Sequence, residues 1–371
     1  MGENAREDDD ASVDAAVTTR ALHVRYFKML MERMPQPYAS LDTNRMMVLY
    51  FCVSALDLMG EKLSEEKRRR VIEWIYRQQI RPQDADAEGK PAGGFGFTGG
   101  GHAGGASKDY RLSHISMTYT ALATLLILGD DLSRVDRDAV TSSLRALQRD
   151  DTGVYEAVAF GTESDTRFVF CACAISFMLQ DWRGVNTAKA EAFLRSSIGF
   201  DGGFGLLPGN ESHGGATYTA LASWVLLGLD VTEAQYEEIL RFCIFRQIGG
   251  FNGRINKKPD TCYTFWVGGS LQMLGCQDLI DRISTKRFLL KCQKTTIGGF
   301  SKVPGIHPDV LHSYYSVCGM CLIGEPGYGS LGAVLGISER AMASIACSRS
   351  SPPKTAAGHP LRHLGRARVG N

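Results

Sequence analysis

The sequence lacks any apolar run of the roughly 18 residues that a membrane span needs. The longest candidate, Met46 to Met59, is too short and carries Asp57. It also lacks an excess of charge of either sign, with 41 Lys plus Arg against 40 Asp plus Glu. That balance excludes the chain-wide basic field of a nucleic-acid binder and leaves room only for a local basic pocket. The first residues, MGENAREDDD, contain no hydrophobic stretch, so no secretory signal is expected. Gly2 invites a myristoylation reading, but Arg6 stands where Ser or Thr is required. The glycine-rich run Gly99 to Gly105 follows no strand and precedes no Gly-Lys-Ser/Thr, which excludes a P-loop and leaves a flexible loop. Ten cysteines without a signal peptide fit a reducing compartment, and a cytoplasmic location is expected.

What the 371 residues do contain is an internal repeat. Gly-Gly-Phe occurs at Gly93-Gly94-Phe95, Gly202-Gly203-Phe204, Gly249-Gly250-Phe251 and Gly298-Gly299-Phe300, with a degenerate copy at Thr152-Gly153-Val154. Counted at the third position, the steps are 59, 50, 47 and 49 residues, a period close to fifty. Before each element lies a stretch with apolar and charged residues at helical spacing, such as ILRFCIFRQ; after it comes an almost wholly apolar one, such as TYTALASWVLLG. The first kind predicts an outer, half-exposed helix and the second an inner, buried helix, with glycine allowing the chain to reverse between them.

Two helices per repeat, stacked on their neighbours, make either an open solenoid or a closed ring. About six pairs fit if residues 20 to 80 supply the first, so the expected fold is all-α: an α/α toroid, a six-hairpin barrel over residues 19–335. Residues 1–18 read as a disordered acidic terminus and residues 336–371 as a disordered basic tail. A closed ring gathers the loops that precede the inner helices around one mouth, where function is expected. An open solenoid that only binds proteins is the alternative that periodicity leaves, and the chemistry of these loops weighs against it.

Asp260-Thr261-Cys262 opens an inner helix just after Pro259. Residues two apart inside a helix point about 200° away from each other, but at a helix start Asp260 can be extended and the two side chains can converge. His312 begins the next inner helix 50 residues after Cys262, one repeat on and so at the same rim. A carboxylate, a thiolate and an imidazole are three zinc ligands with a fourth position open, as in catalytic sites. The alternative is a capping Asp, a core Cys and a His that lines the mouth. The preceding loop carries Arg254, Lys257 and Lys258, and one repeat earlier His213-Gly214-Gly215 leads into another inner helix. Cations meeting at helix starts suit a diphosphate, although an isolated basic turn is more often a solvated one. Cys318 and Cys321, a Cys-x-x-Cys in an apolar helix, read as core packing, as do Cys171 and Cys173.

At these residues the sequence resembles the beta subunits of protein prenyltransferases, from about residue 20 to about residue 330. The resemblance rests on GGFNGRINKKPDTCYTFW, with HGG upstream and DVLHSYY downstream. It implies an α/α toroid that pairs with an α subunit, binds catalytic zinc and transfers an isoprenoid to a cysteine near a protein's C-terminus. Asp260, Cys262 and His312 would be the zinc ligands, and the substrate thiol would meet the metal as thiolate. His213, Arg254, Lys257 and Tyr263 would hold the diphosphate, with Gly214, Gly215, Arg167, Trp266 and Phe51 lining the isoprenoid and peptide pocket.

Within the family it is most similar to the type I geranylgeranyltransferases, through Thr261 and the segment HPDVLHSYY. That branch implies geranylgeranyl diphosphate as donor and CaaX peptides as acceptors, with Leu311 favouring a C-terminal Leu. Lys302 falls where farnesyltransferases have a magnesium-positioning Asp, so magnesium is not expected to be required. Met47 departs from the small Thr usual in this branch, which leaves farnesyltransferase as the runner-up. A non-catalytic protein-binding scaffold is the reading from another class.

Overall fold

A computed structural model describes residues 19–84, 94–100, 112–161 and 163–347. The acidic terminus, Gly93, Gly101 to Gly105 and the tail from residue 348 lie outside the described residues. The chain forms two concentric rings of helices. The inner ring is α2 (Arg45–Leu58), α4 (Ile115–Ile127), α6 (Thr166–Leu179), α8 (Gly214–Leu227), α10 (Cys262–Met273) and α12 (Val310–Leu322). The outer ring is α1 (Arg20–Glu32), α3 (Glu65–Arg77), α5 (Arg137–Leu147), α7 (Thr187–Ser196), α9 (Glu233–Ile244) and α11 (Arg282–Cys292). Each inner helix packs on the next, and α12 returns to pack on α2, so the ring is closed. The open solenoid is thereby excluded.

The sequence difference between the rings follows from what each helix touches. In α4 every residue except Ser116 is buried, because neighbours cover both flanks and the barrel interior covers the rest. In α3 the core side buries Ile72, Ile75 and Tyr76 while the other side carries charge. Ser64 caps that helix by accepting from the Lys67 N–H, and Glu65 and Glu66 in its first turn complement the helix dipole.

Each connection from an outer to an inner helix after the first carries one fully buried aromatic: Phe97, Tyr155, Phe204, Phe251 and Phe300. The N–H groups of Phe97, Phe204 and Phe300 donate to the hydroxyls of Thr118, Thr217 and Ser313 in the first turn or so of the next inner helix, at 3.0, 3.0 and 2.8 Å. This corrects the repeat register in two places, since the structural counterparts of Phe204 are Phe97 and Tyr155, not Phe95 and Val154. Glycine count misled there, because the aromatic side chain and not the glycine pair fills the equivalent core position. Glycine is still required where the backbone presses on a neighbouring outer helix. A Cβ at Gly202 would run into the carbonyl of Glu238, and one at Gly298 into that of Leu22.

That last contact shows how the outer ring closes. The final repeat has no outer helix after it in sequence, and α1 takes that place. His23 on α1 is buried and stacks on Phe300 with ring centroids 4.3 Å apart. Its Nδ1 accepts from the Gly299 N–H at 2.9 Å, so Nε2 carries the proton and donates to Gln293 Oε1 at 3.1 Å.

The opposite end from the loop-lined mouth is closed by a plug. Strands β1 (Leu331–Gly332) and β2 (Ile337–Ser338) pair antiparallel, and α13 (Glu339–Cys347) follows. Hydroxyls from four inner helices donate to the hairpin backbone: Tyr50 and Tyr314 to the Gly336 carbonyl, Tyr119 to Leu335 and Tyr218 to Ala333. Gln272 on α10 accepts from the Ala333 N–H at 2.9 Å. Leu335, Ile337 and Ala341 are fully buried, so the ordered unit runs beyond Leu335, where the sequence reading ended it. The physical reason is that a barrel of apolar helices leaves unpaired interior hydroxyls, and this short hairpin satisfies them.

Burial holds the His23 imidazole at about 4, against an ordinary 6.5, with the Gln293 bond opposing the shift. The folded chain refuses a proton that the unfolded chain accepts. Stability present above pH 6.5 is therefore lost as the pH falls toward 4. A denaturant titration should show wild type losing about 2 kcal/mol more than His23→Gln between pH 7 and pH 5. Parallel losses in the two proteins would contradict the role given to His23.

Candidate metal and diphosphate site

The N-terminal ends of the inner helices surround the open mouth, and two of them supply a cluster. Donor atoms of Asp260, Cys262 and His312 all lie within 4.8 Å of one another. The local chain explains the convergence. Asp260 precedes α10, and its Oδ1 accepts from the Cys262 N–H at 3.0 Å, which folds the carboxylate back toward the thiol. Thr261 is tied to the next loop, its N–H donating to the Lys302 carbonyl at 3.1 Å and its hydroxyl to the Ser301 carbonyl at 2.9 Å. His312 sits in the first turn of α12, with Nε2 3.3 Å from Asp260 Oδ1.

A residue that the sequence reading missed completes this arrangement. Asp309 caps α12, accepting from the His312 N–H at 2.9 Å, and its other oxygen lies 2.7 Å from His312 Nδ1. It fixes the ring so that Nε2 faces Asp260 and Cys262, the usual support for a metal-binding histidine. The signal was in the sequence: an Asp three residues before a helical residue is an N-cap pattern. One carboxylate, one thiol and one imidazole, mutually close and with the imidazole oriented from behind, fit zinc.

The charges of the metal-free cluster are linked. Burial alone would lower the His312 pKa, but hydrogen bonds to Asp260 and Asp309 outweigh it and raise the imidazole to about 9. Burial pushes Asp260 up, yet bonds from His312 and Cys262 bring it below its ordinary value. Burial first, and then the Asp260 charge, push the Cys262 thiol well up. Lys302 Nζ stands 3.6 Å from Asp260 Oδ2 and is more than half exposed.

Across the mouth, His213 caps α8. Its Nδ1 accepts from the N–H groups of Gly215 and Ala216 at 3.0 and 3.3 Å. That leaves Nε2 as the protonated nitrogen, 2.8 Å from the Tyr263 hydroxyl. Nε2–H donates to the phenol oxygen, so the phenol keeps its own proton for another acceptor. Burial, and then the Arg254 charge, lower the His213 pKa. A Cβ at Gly253 would run into the Tyr263 ring, so glycine is needed there for the loop to cross the phenol. Arg254 extends from that loop to Glu211, 3.3 Å away, and Lys257 is exposed beside it.

The remaining pocket residues separate into two groups. Trp266 packs on Tyr315 at 4.5 Å and Tyr218 at 5.0 Å, and Phe51 lies 5.0 Å from Tyr314 and 5.7 Å from Tyr315, forming one aromatic lining inside the ring. Met47 and Leu311 are half-buried on α2 and α12. Arg167 is not free to the mouth: Asp165 Oδ2 lies 2.7 Å from it and Glu163 3.2 Å. Gly214 and Gly215 form the first turn of α8. Cys318 and Cys321 are buried and unlinked, as core packing requires.

Because His312 and Cys262 both hold protons in the cluster, a metal bound through their nitrogen and sulfur would displace them. Zinc uptake should strengthen as the pH rises toward about 9, the His312 value, beyond which that residue adds no further dependence. Calorimetry of zinc binding near pH 7.5, in buffers of different ionisation heat, should report close to two protons released. Release that is unchanged in His312→Ala would contradict the assignment.

The family model described as "Prenyltransferase alpha-alpha toroid domain" matches residues 19–347. The chain is similar to "Geranylgeranyl transferase type-1 subunit beta" of Arabidopsis thaliana, 38% identical over 331 residues, 85% of this chain and 88% of that protein. It is equally similar to the protein of the same name from Dictyostelium discoideum, 38% identical over 85% of this chain and 94% of the relative. Among solved structures, "Candida albicans protein geranylgeranyltransferase-I complexed with GGPP" shares the fold, with a TM-score of 0.79 at 23% identity over 88% of this chain and 98% of that chain. A ring closed by six inner helices thus has its counterpart among solved structures, and the chain belongs to the prenyltransferase alpha-alpha toroid family, as a protein prenyltransferase beta subunit of the geranylgeranyl transferase type-1 kind.

Proposed function

We propose that this chain is the catalytic beta subunit of a zinc-dependent type I protein geranylgeranyltransferase. It joins the geranylgeranyl group of geranylgeranyl diphosphate to the cysteine sulfur of proteins ending in a CaaX motif, with Leu favoured at the last position. The observation that carries the reading is the convergence of Asp260, Cys262 and His312 beside a cationic, tyrosine-tipped loop at the mouth of an apolar ring.

Asp260, Cys262 and His312 would hold the zinc, which supplies a lowered pKa for the substrate thiol and so favours its thiolate. In the reaction a carbon–sulfur bond forms at C1 of the isoprenoid, the C1–oxygen bond breaks, diphosphate leaves and the thiol proton passes to solvent. The chain's own residues serve the leaving group. Tyr263 offers its phenol proton because His213 supplies the hydrogen bond to its oxygen, and Arg254, Lys257 and Lys302 provide positive charge around it. Lys302, already beside Asp260, brings a fixed cation to the place where magnesium would otherwise neutralise diphosphate. The aromatic lining from Phe51 to Trp266 suits a twenty-carbon tail, and the plug keeps water from its far end.

A heterodimer with a prenyltransferase α subunit agrees with the surface. Phe160, Phe200, Phe245, Ile248 and Ile297 all lie on segments that lead from outer to inner helices, on the mouth side, and Phe200 is 99% exposed. Such an apolar crest is what a partner would cover. No helix among the described residues is long and apolar enough to cross a membrane, and a cytoplasmic enzyme fits that.

Two measurements test the reading. The heterodimer, given farnesyl and geranylgeranyl diphosphate equally with CaaX peptides ending in Leu, Met or Ser, should put geranylgeranyl on the Leu peptide without magnesium. Farnesyl on the Met or Ser peptide would mean that Met47 shortens the pocket and would favour the farnesyltransferase reading; a zinc-free, inactive complex would favour a scaffold. Arg254→Ala should raise KM for the diphosphate by about tenfold or more, as loss of a charge-assisted hydrogen bond does, with little change for the peptide. Equal effects on both substrates would remove Arg254 from the diphosphate site.

A further inference from the structure

A cavity of about 1070 Å³ lies outside the barrel, between α1 and α3 and over the outer side of α2. It has a structural cause. Elsewhere the glycine–aromatic connection of one repeat presses against the next outer helix, as Gly202 does on Glu238 and Gly298 on Leu22. The connection from α1 to α2 has no such element. It is a 3-10 helix, Gln36–Asn44, whose end is engaged instead with Gly99, which accepts from the Met46 N–H at 2.7 Å. No glycine–aromatic element fills the space between α1 and α3 there, and a groove remains.

The groove has an apolar floor and a charged rim. Met31, Leu49, Leu63, Val71 and Trp74 line it and are half-buried against the core. On the rim stand Lys67, Arg69 and Arg70 of α3, together with Glu66 and with Glu73, which pairs with Arg134. Lys67 pairs with Glu32 across the groove, but Arg69 and Arg70 are exposed and make no ion pair or hydrogen bond among the described residues. Cations outnumber acids around the groove, and these two arginines are its unpaired ones among the residues named here.

One segment of this chain matches it in place, length and charge. The described chain starts at Thr19, at the plug end of α1, where Arg20 contacts Glu61 at 3.4 Å, just before Leu63 and α3. Residues 1–18 carry Glu3, Glu7, Asp8, Asp9, Asp10 and Asp14 against Arg6 alone, with Val13, Ala15, Ala16 and Val17 close to Thr19 in sequence. Fully extended they reach about 60 Å at most, while α3 is only about 20 Å long.

We infer that residues 1–18 dock in the groove between α1 and α3, their small apolar residues on its floor and their acids on Arg69 and Arg70. The segment supplies from within the chain the bridge that the first repeat lacks. Its local concentration is that of a short tether, so weak contacts suffice, and the pairing weakens with salt. The inference does not depend on the prenyltransferase reading.

The test is hydrogen–deuterium exchange of the full chain in its heterodimer, with and without residues 2–18. Deletion should make the amides of residues 65–77 exchange about tenfold faster, and Trp74 emission should move to the red. Arg69→Glu with Arg70→Glu, both on the exposed side of α3, should reproduce the change while residues 1–18 are present. A synthetic peptide of residues 1–18 added to the deleted protein should restore protection. Unchanged exchange after the deletion would overturn the inference. So would carbodiimide cross-links joining Lys67 to the α subunit or to a second copy instead of to Glu7, Asp8, Asp9 or Asp10.

Discussion

Six helices that are apolar on nearly every side can be buried only if each has two neighbours and a filled interior, and this requirement shapes the whole molecule. It makes α12 pack on α2, draws α1 into the outer ring beside the last repeat, and brings a short hairpin into the far end of the barrel. The closed ring then does something an open solenoid could not. It sets the starts of all the inner helices around one mouth, so that residues fifty positions apart become neighbours.

At that mouth, the helix ends themselves position the chemistry. Asp309 and His213 are both N-caps, and each orients a second group: Asp309 turns His312 toward Asp260 and Cys262, and His213 leaves the Tyr263 phenol its proton. The same backbone donors that every helix must satisfy thus fix the orientation of the reactive side chains. Balanced charge follows as well. The His312 proton, held between Asp260 and Asp309, offsets carboxylate charge within the cluster, while burial pushes the Cys262 thiol well up.

The repeat and the ring were readable because burial on all sides leaves a strong mark on composition, as in MTYTALATLLILG against IEWIYRQQ. The meeting of Asp260, Cys262 and His312 at one rim was readable because Cys262 and His312 are one repeat apart, and a repeat maps sequence distance onto rim position. What failed to show had no such periodic mark. The hairpin at Leu331 to Ser338 consists of two-residue strands held by tyrosines from distant helices, and no local pattern announces that. The pairing of His23 with Gly299 and Gln293 spans some 270 residues and appears only after closure. The register of the first two repeats was misread because glycines were followed where the buried aromatic marks the equivalent position.

The central claim is that neighbouring inner helices hold one zinc through one thiolate, one carboxylate and one imidazole, leaving a place for the substrate sulfur. X-ray absorption at the zinc edge of the heterodimer tests it most directly. The account predicts one sulfur at about 2.3 Å, with nitrogen and oxygen neighbours, in the enzyme alone, and a second sulfur when a CaaX peptide is added. A zinc with no sulfur or four sulfurs, or one whose neighbours are unchanged by the peptide, would contradict it.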